Sequence, residues 1–325
     1  MLIAMRRMLG LAAGAALLAC AGATWAQVFP SRPITLVVPY AAGGGTDILA
    51  RVVGKAMGDV LGRQVVIDNK PGGSTMIGAN FVAKSAPDGY TLLMGASTFV
   101  IQESLPVKEQ NATLKDFEPI GVVASTPMLL AVHPGVPSGS LKQFIDHARA
   151  KPGKLNDATF GKGSTTHLVT EFMNAELGLR MTDVPYKGAA PAITDLIRGE
   201  IQVFCDLTVT ALPLAKDGRA KVIAIMSERR SEQAPEIPTF AELGFPNVKA
   251  GVVFGVLAPA GTPRAIVEQL NAALATVLKT AEVSERIRGM ASTAGGGSPA
   301  QFAEVLTQER DKWKKLIDRI GLKLE

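Results

Sequence analysis

The sequence predicts an α/β protein built as two lobes with a cleft between them, and three observations lead there. Short β-branched runs alternate with amphipathic helical stretches, the pattern of largely parallel sheets flanked by helices. Two strand-to-helix joints are glycine-rich and alike: residues 35–40 run into Ala41-Ala42-Gly43-Gly44-Gly45-Thr46-Asp47, and residues 158–160 run into Gly161-Lys162-Gly163-Ser164-Thr165-Thr166. The chain has 325 residues, 47% of them apolar, enough for two cores of ordinary domain size.

Taken in order, residues 1–26 read as a targeting segment outside the fold. Arg6 and Arg7 precede a short apolar run, and Thr24-Trp25-Ala26 offers small residues where a signal peptidase cuts, so export and a mature chain starting near Gln27 are expected. Lipid attachment at Cys20 is a second reading, because Leu17-Leu18-Ala19-Cys20 loosely resembles a lipobox. The run is too short to span a bilayer, and no later segment is long and apolar enough to do so. Loss of the two leader arginines takes the net charge from +5 to +3, with 32 basic against 29 acidic side chains. So small a bias argues against nucleic acid or an anionic membrane as partner. Cys205 alone remains after export, so no internal disulfide is expected and stability must come from burial.

From Asp47 onward, Ile48, Leu49, Val52, Val53, Ala56, Met57 and Val60 recur at helical spacing until Gly62 stops the helix. Residues 65–67 form the next strand, 70–75 turn into a helix reaching about 84, and Pro87-Asp88-Gly89 turns the chain into a strand over 90–94. Residues 122–124 and 128–132 read as two strand-like pieces flanking Pro127. Helices follow at about 141–149, after the second glycine loop with Leu168, Val169, Phe172 and Met173 inward, and over 190–198. Residues 203–206 and 222–226 are strands, and the end is helical over about 263–279, 281–288 and 299–320. The pattern leaves one half and returns near 122–131 and 251–259. Lobe one is therefore expected at 27–126 plus 253–325, and lobe two at 127–252.

Several motifs together carry a resemblance. They are Ser31-Arg32-Pro33-Ile34, the run at 37–47, Asn69-Lys70-Pro71-Gly72-Gly73, Ala86-Pro87-Asp88-Gly89-Tyr90, Val184-Pro185-Tyr186-Lys187-Gly188, Asp195-Leu196-Ile197-Arg198-Gly199 and Ala258-Pro259-Ala260-Gly261-Thr262-Pro263. In this order, over essentially the whole mature chain, they resemble the extracytoplasmic solute receptors of tripartite tricarboxylate transporters, the Bug-type family. The resemblance implies a periplasmic-binding-protein fold with a hinge and one small carboxylated ligand held by backbone and hydroxyl groups of both lobes. It also implies delivery to the membrane permease subunits. Family members often carry a small uncharged residue at the position of Lys162.

The residues support an anion cradle on their own account. A helix start leaves its first N–H groups unpaired and carries partial positive charge. In Tyr40, Ala42, Gly43, Gly44, Gly45, Thr46 and Asp47, the glycines free the backbone for contact, Thr46 is placed to cap the helix, and Asp47 is placed to tie down the loop. Gly161, Lys162, Gly163 and Ser164 offer the matching set, and a nucleotide loop is excluded because the spacing that wraps a triphosphate is missing. Lys162 either pairs with a second carboxylate or is solvated, and His167 either approaches the cleft or is structural. Ser97 and Thr98 follow a strand end, where ligands collect in open α/β sheets. Tyr186, Lys187 and Gly188 precede another helix. Asp206 ends a buried strand, to receive a ligand hydroxyl, ammonium or protonated acid, or to hold a neighbouring loop.

Catalysis is not expected: the hydrolase alternative would pair Ser164 with His167, yet no nucleophile elbow is present. Neither a cofactor nor a metal is expected, since Cys205, His133, His147 and His167 form no ligand-spaced cluster. A sensory receptor for the same ligands is the remaining alternative. The chain is expected to be a monomer.

Overall fold

The computed structural model describes residues 29–105 and 112–322, leaving the side chain of Ala96 aside. The expected leader, cleavage site and Cys20 lie outside the described residues. Residues from Arg32 on form one compact unit.

In chain order the elements are β1 (Ile34–Val38), α1 (Gly45–Leu61), β2 (Val65–Asn69), α2 (Met76–Ala83), β3 (Thr91–Ala96), α3 (Ser97–Gln102), β4 (Phe117–Val132), α4 (Leu141–Ala150), β5 (Asn156–Thr159), α5 (Thr165–Leu177), β6 (Thr182–Pro185), α6 (Ala189–Arg198), β7 (Val203–Leu207), α7 (Thr208–Lys216), β8 (Lys221–Ile225), β9 (Gly251–Pro259), α8 (Arg264–Lys279), α9 (Ala281–Gly289), β10 (Thr293–Gly296) and α10 (Pro299–Ile320). The strand order is β2-β1-β3-β9-β4-β7-β5-β6, with β8 and β10 each joined to β4.

The sheet is mixed rather than largely parallel. β1 pairs in parallel with β2 and β3, and β5 with β6 and β7, as the strand-helix alternation requires. Every pairing of β4 and β9 is antiparallel, because these two strands carry the chain out of one lobe and back. The pieces expected on either side of Pro127 are one strand of 16 residues. Proline has no N–H for a ladder, yet it is tolerated here because β4 changes partners at this point. Up to Pro127 it pairs with β9, and from Met128 to Val132 it pairs with β7 and β8.

Each lobe has its own core. One gathers Val37, Leu93, Phe99, Phe117, Leu257 and Phe302, and the other Leu129, Ala158, Leu196, Phe204, Leu212 and Ile225. The inward faces of α1 and α5 follow their apolar spacing, except that Val60 is 48% exposed in the last turn of α1. Gly62 ends α1 in the left-handed conformation at φ 68°, a shape glycine adopts without a Cβ penalty. Cys205 is fully buried in β7. Among the described residues, no helix is long and apolar enough to cross a membrane.

Candidate functional site

The first glycine loop leads from β1 into α1, which starts earlier than expected. Gly44 is the N-cap and Gly45 the first helical residue, so Thr46 lies inside the first turn and does not cap it. The carboxylate of Asp47 takes over the tethering. It accepts from the Gly43 N–H at 2.9 Å, from Arg51 at 2.9 and 3.0 Å, and from Asn69 Nδ2 at 3.0 Å. Asn69 also donates to the Tyr40 carbonyl at 3.0 Å, so strand, loop and helix are tied at one point. Gly43 needs its glycine, with φ at 82°. Burial pushes the Asp47 carboxyl up, but the hydrogen bonds from Arg51, Gly43 and Asn69 outweigh it and hold the group below its usual range.

The second loop, from β5 into α5, reaches the same geometry by another route. Gly161 and Gly163 have φ of 96° and 76°. Ser164 caps α5 by accepting from the His167 N–H at 3.3 Å, and the Phe160 N–H donates to Thr166 Oγ1 at 2.9 Å. His167 is buried, and its Nδ1 accepts from the Gly163 N–H at 3.4 Å. Burial, with a small push from Lys162, outweighs Asp183 and Glu171 and lowers its pKa, so the ring is held neutral within the loop. Ser164 therefore meets the main-chain N–H of His167 rather than its ring.

The two loops face each other. Tyr40 donates its hydroxyl to Thr98 Oγ1 at 2.9 Å, and Thr98 Oγ1 lies 2.6 Å from Thr165 Oγ1 at the start of α5. Gln102 Nε2 donates to the Gly163 carbonyl at 2.9 Å, Ser74 Oγ to the Lys162 carbonyl at 2.8 Å, and the Ala41 N–H to the Lys187 carbonyl at 3.0 Å. Gly44 packs against Ala189, the first residue of α6. Gly188, at φ 150°, stands so close to Ala41 that a Cβ would lie 2.9 Å from the Ala41 nitrogen.

Between the loops lies a cavity of about 20 Å³, room for about one water with the lobes in contact. Tyr40, Thr46 and Thr98 line it from one side, and Phe160, Thr165, Thr166, Asp206 and Leu207 from the other. Residues from the starts of α1, α3 and α5 and the N-cap of α7, Leu207, thus line one cavity, and helix starts carry partial positive charge. The floor is made by Met128, Val252 and Phe254 on the crossing strands. Burial raises the Tyr40 hydroxyl to about 12 against the opposing effect of its bond to Thr98, so it remains neutral.

Of the residues expected from the sequence, Tyr40, Thr46, Thr98 and Asp206 meet at the cavity. Gly44, Gly45, Gly163, Ser164 and Gly188 are buried in the loops but do not line it. Ser97 turns away: it donates to Glu309 Oε2 at 2.9 Å and accepts from the Val253 N–H at 3.1 Å. The Tyr186 hydroxyl donates to Asp195 Oδ2 at 2.8 Å. Ala42, Gly43, Lys162 and Lys187 are exposed at the rim, and Gly161 is half-buried there. The apolar lining escaped the sequence reading. Met128, Val252 and Phe254 are ordinary strand residues, and only their alternation beside the expected crossing points sets them on one face. Among the described residues, no group of three or more His, Cys, Asp or Glu side chains is placed to hold a metal ion.

Known proteins share this architecture. Periplasmic binding protein BugD superposes with a TM-score of 0.88 at 31% identity, covering 91% of this chain and 100% of that one. MatC (Rpa3494) of Rhodopseudomonas palustris, with bound malate, superposes at 0.85 and 31% identity, covering 89% and 100%. R. palustris Rpa4515 with adipate superposes at 0.87 and 34% identity, covering 91% and 99%. The family model described as tripartite tricarboxylate transporter family receptor matches residues 49–322. With its periplasmic-binding-protein fold and its paired helix starts around an interlobe cavity, the chain belongs to the tripartite tricarboxylate transporter receptor family.

Proposed function

We propose that this protein is an exported, monomeric receptor that captures a small carboxylate between its lobes and hands it to the membrane permease subunits of a tripartite transporter, without chemical turnover. The convergence of four helix starts and the Tyr40, Thr46, Thr98, Thr165 and Thr166 side chains on one interlobe cavity carries this reading. Malate in MatC and adipate in Rpa4515 support the ligand class. Lobe one comprises 27–126 plus 253–325 and lobe two 127–252, with cleavage of the leader near Ala26 and rotation where β4 and β9 cross.

The cavity is smaller than a dicarboxylate, so the lobes must part to admit one. The first loop receives a carboxylate on the N–H groups at the start of α1, and the second loop adds its contacts as the lobes close. Magnitudes require both. A charge-assisted hydrogen bond contributes about 1.5–3 kcal/mol and a helix end about 0.3–2 kcal/mol. Micromolar affinity needs about 8 kcal/mol beyond the ordering costs. Thermal-shift screening of the mature protein against malate, adipate, citrate, acidic amino acids and benzoate tests the reading. At least one carboxylate raises the melting temperature and contracts the scattering profile; a panel without effect refutes it.

A further inference from the structure

Asp206 is the one ionised-type side chain in the cavity lining, and its position is at odds with an anionic guest. It is 2% exposed at the end of β7, and its Oδ2 accepts from Thr210 Oγ1 at 2.6 Å. Among the described residues, no lysine, arginine or histidine pairs with it. The groups facing it from neighbouring elements are neutral. They are the hydroxyls of Tyr40 in the loop after β1, Thr46 on α1, Thr98 on α3, Thr165 and Thr166 on α5 and Thr210 on α7. On β7 itself the adjacent Cys205 thiol is held protonated by burial, with Asp157 on β5 acting in the same direction, and His167 further along α5 is neutral.

A buried carboxyl with no counter-charge shares a wall with the helix starts that would hold a ligand carboxylate. Asp206, Thr165, Thr166 and Phe160 all belong to the same lobe, so this juxtaposition persists when the lobes part. Two carboxylates a few ångströms apart in a dry site cannot both stay ionised, because like charges at short range strongly raise the proton affinity of one of them.

We propose that ligand capture is coupled to uptake of one proton, which resides on Asp206 in the liganded protein. This rests on the carboxylate reading above. As the ligand carboxylate enters, the Asp206 carboxylate takes one proton from solvent, and the resulting O–H is available to donate to a ligand oxygen. Asp206 thereby favours fully carboxylate ligands over those presenting an ammonium at this wall, which would be matched by the ionised form.

Burial alone raises the Asp206 carboxyl to about 7, against the opposing hydrogen bonds from Thr210 and Leu207. The sign follows. With the lobes closed as described here the unliganded protein holds the proton below about pH 7, so affinity is flat there; above it, affinity falls about tenfold per pH unit until the value of the liganded form is reached.

The test is calorimetric titration of the mature protein with adipate and with malate at about pH 6, 7 and 8.5, each in two buffers of different ionisation enthalpy. Proton uptake near zero at the lowest pH, approaching one per ligand at the highest, with about a 30-fold loss of affinity between pH 6 and 8.5, is expected. Asp206→Asn, which keeps the shape and donor capacity of the neutral acid, is expected to bind with no pH slope. Binding of either probe at pH 8.5 without proton uptake overturns the inference and leaves the receptor function standing, as does a wild-type pH slope in Asp206→Asn. L-Aspartate binding that tightens with pH, while adipate shows no slope, also overturns it. Failure of both probes at every pH removes this inference, whereas the carboxylate reading stands or falls with the full panel. Should Asp206→Asn not fold, proton uptake by the wild-type protein decides alone.

Discussion

Gly45 allows lobe closure to be separated from lobe stability. It is the first residue of α1, its φ lies outside the left-handed region, and alanine is the better helix former, so lobe one should accept Gly45→Ala without loss. The obstacle lies in the other lobe. A Cβ at this position would stand 2.5 Å from Val209 Cγ1 and 2.8 Å from Leu207 Cδ1, both nearer than real Cβ contacts allow. The leucine end can rotate aside, but the β-branched valine at the start of α7 has little freedom at χ1. Overpacking of this kind costs about 1–3 kcal/mol, and here the cost falls on the closed form only. Since about 1.4 kcal/mol is tenfold in affinity, Gly45→Ala should weaken carboxylate binding by about 5- to 150-fold. The melting temperature without ligand should not fall by the amount a core defect of that size implies. Gly44→Ala is the control: its nearest neighbours, Ala189 Cβ and N, would lie at 3.5 and 3.6 Å, and it should bind like the wild type. Calorimetry with the best carboxylate, together with small-angle scattering, reads both effects. If Gly45→Ala binds and contracts as the wild type does, the lobes do not close on the geometry described here, and the two-loop argument fails.

Two further outcomes follow from contacts outside the cavity. Arg319, near the end of α10, is paired with Glu176 on α5 and lies 5.6 Å from the Phe172 ring, so it clasps the two lobes together. The pair is partly exposed, and Arg319→Ala should weaken ligand binding only about 2- to 30-fold, measured by calorimetry, from about 0.5–2 kcal/mol of screened ion pair and cation–π contact; unchanged affinity would remove the clasp from the closure mechanism. Asp47 has its folded value below its unfolded one, so it stabilises the protein above about pH 4 and loses that contribution as pH falls through the folded value. Asp47→Asn should lower the melting temperature at neutral pH and flatten the acid limb of the stability curve; parallel acid limbs in the two proteins would show that the tether is not ionic.

What was legible in the sequence, and what was not, divides along physical lines. Local rules set the positions of most elements, because helix spacing and glycine stops depend on neighbours within a few residues: α1 ends at Gly62 and α5 buries Leu168, Val169, Phe172 and Met173 as the pattern demands. β4 was read as two pieces because a proline argues against strand continuity unless the ladder changes partner there, and partner choice is a tertiary fact. The cap of α1 was misplaced for a similar reason. Thr46 is a good capping residue by type, but Asp47 reaches back to the Gly43 N–H and is itself locked by Arg51 and Asn69, the latter 22 residues further on.

The division at the cavity is sharper. Polar residues near strand ends and helix starts announce themselves, since Thr98, Thr165 and Asp206 are unusual side chains to bury: Thr98 and Thr165 open helices, and Asp206 lies at the end of β7. Their roles separate only with coordinates: Ser97 and Thr98 are adjacent, yet Ser97 bonds Glu309 on α10 while Thr98 meets Thr165 across the cleft. At a helix start, consecutive residues point about 100° apart, so one faces the partner lobe and the next its own core. That rotation, not residue type, decides which hydroxyl can meet a ligand. It follows that exchanging types at this pair, placing serine at 98 or threonine at 97, disturbs packing while leaving the pattern of donors into the cavity to the residue at position 98.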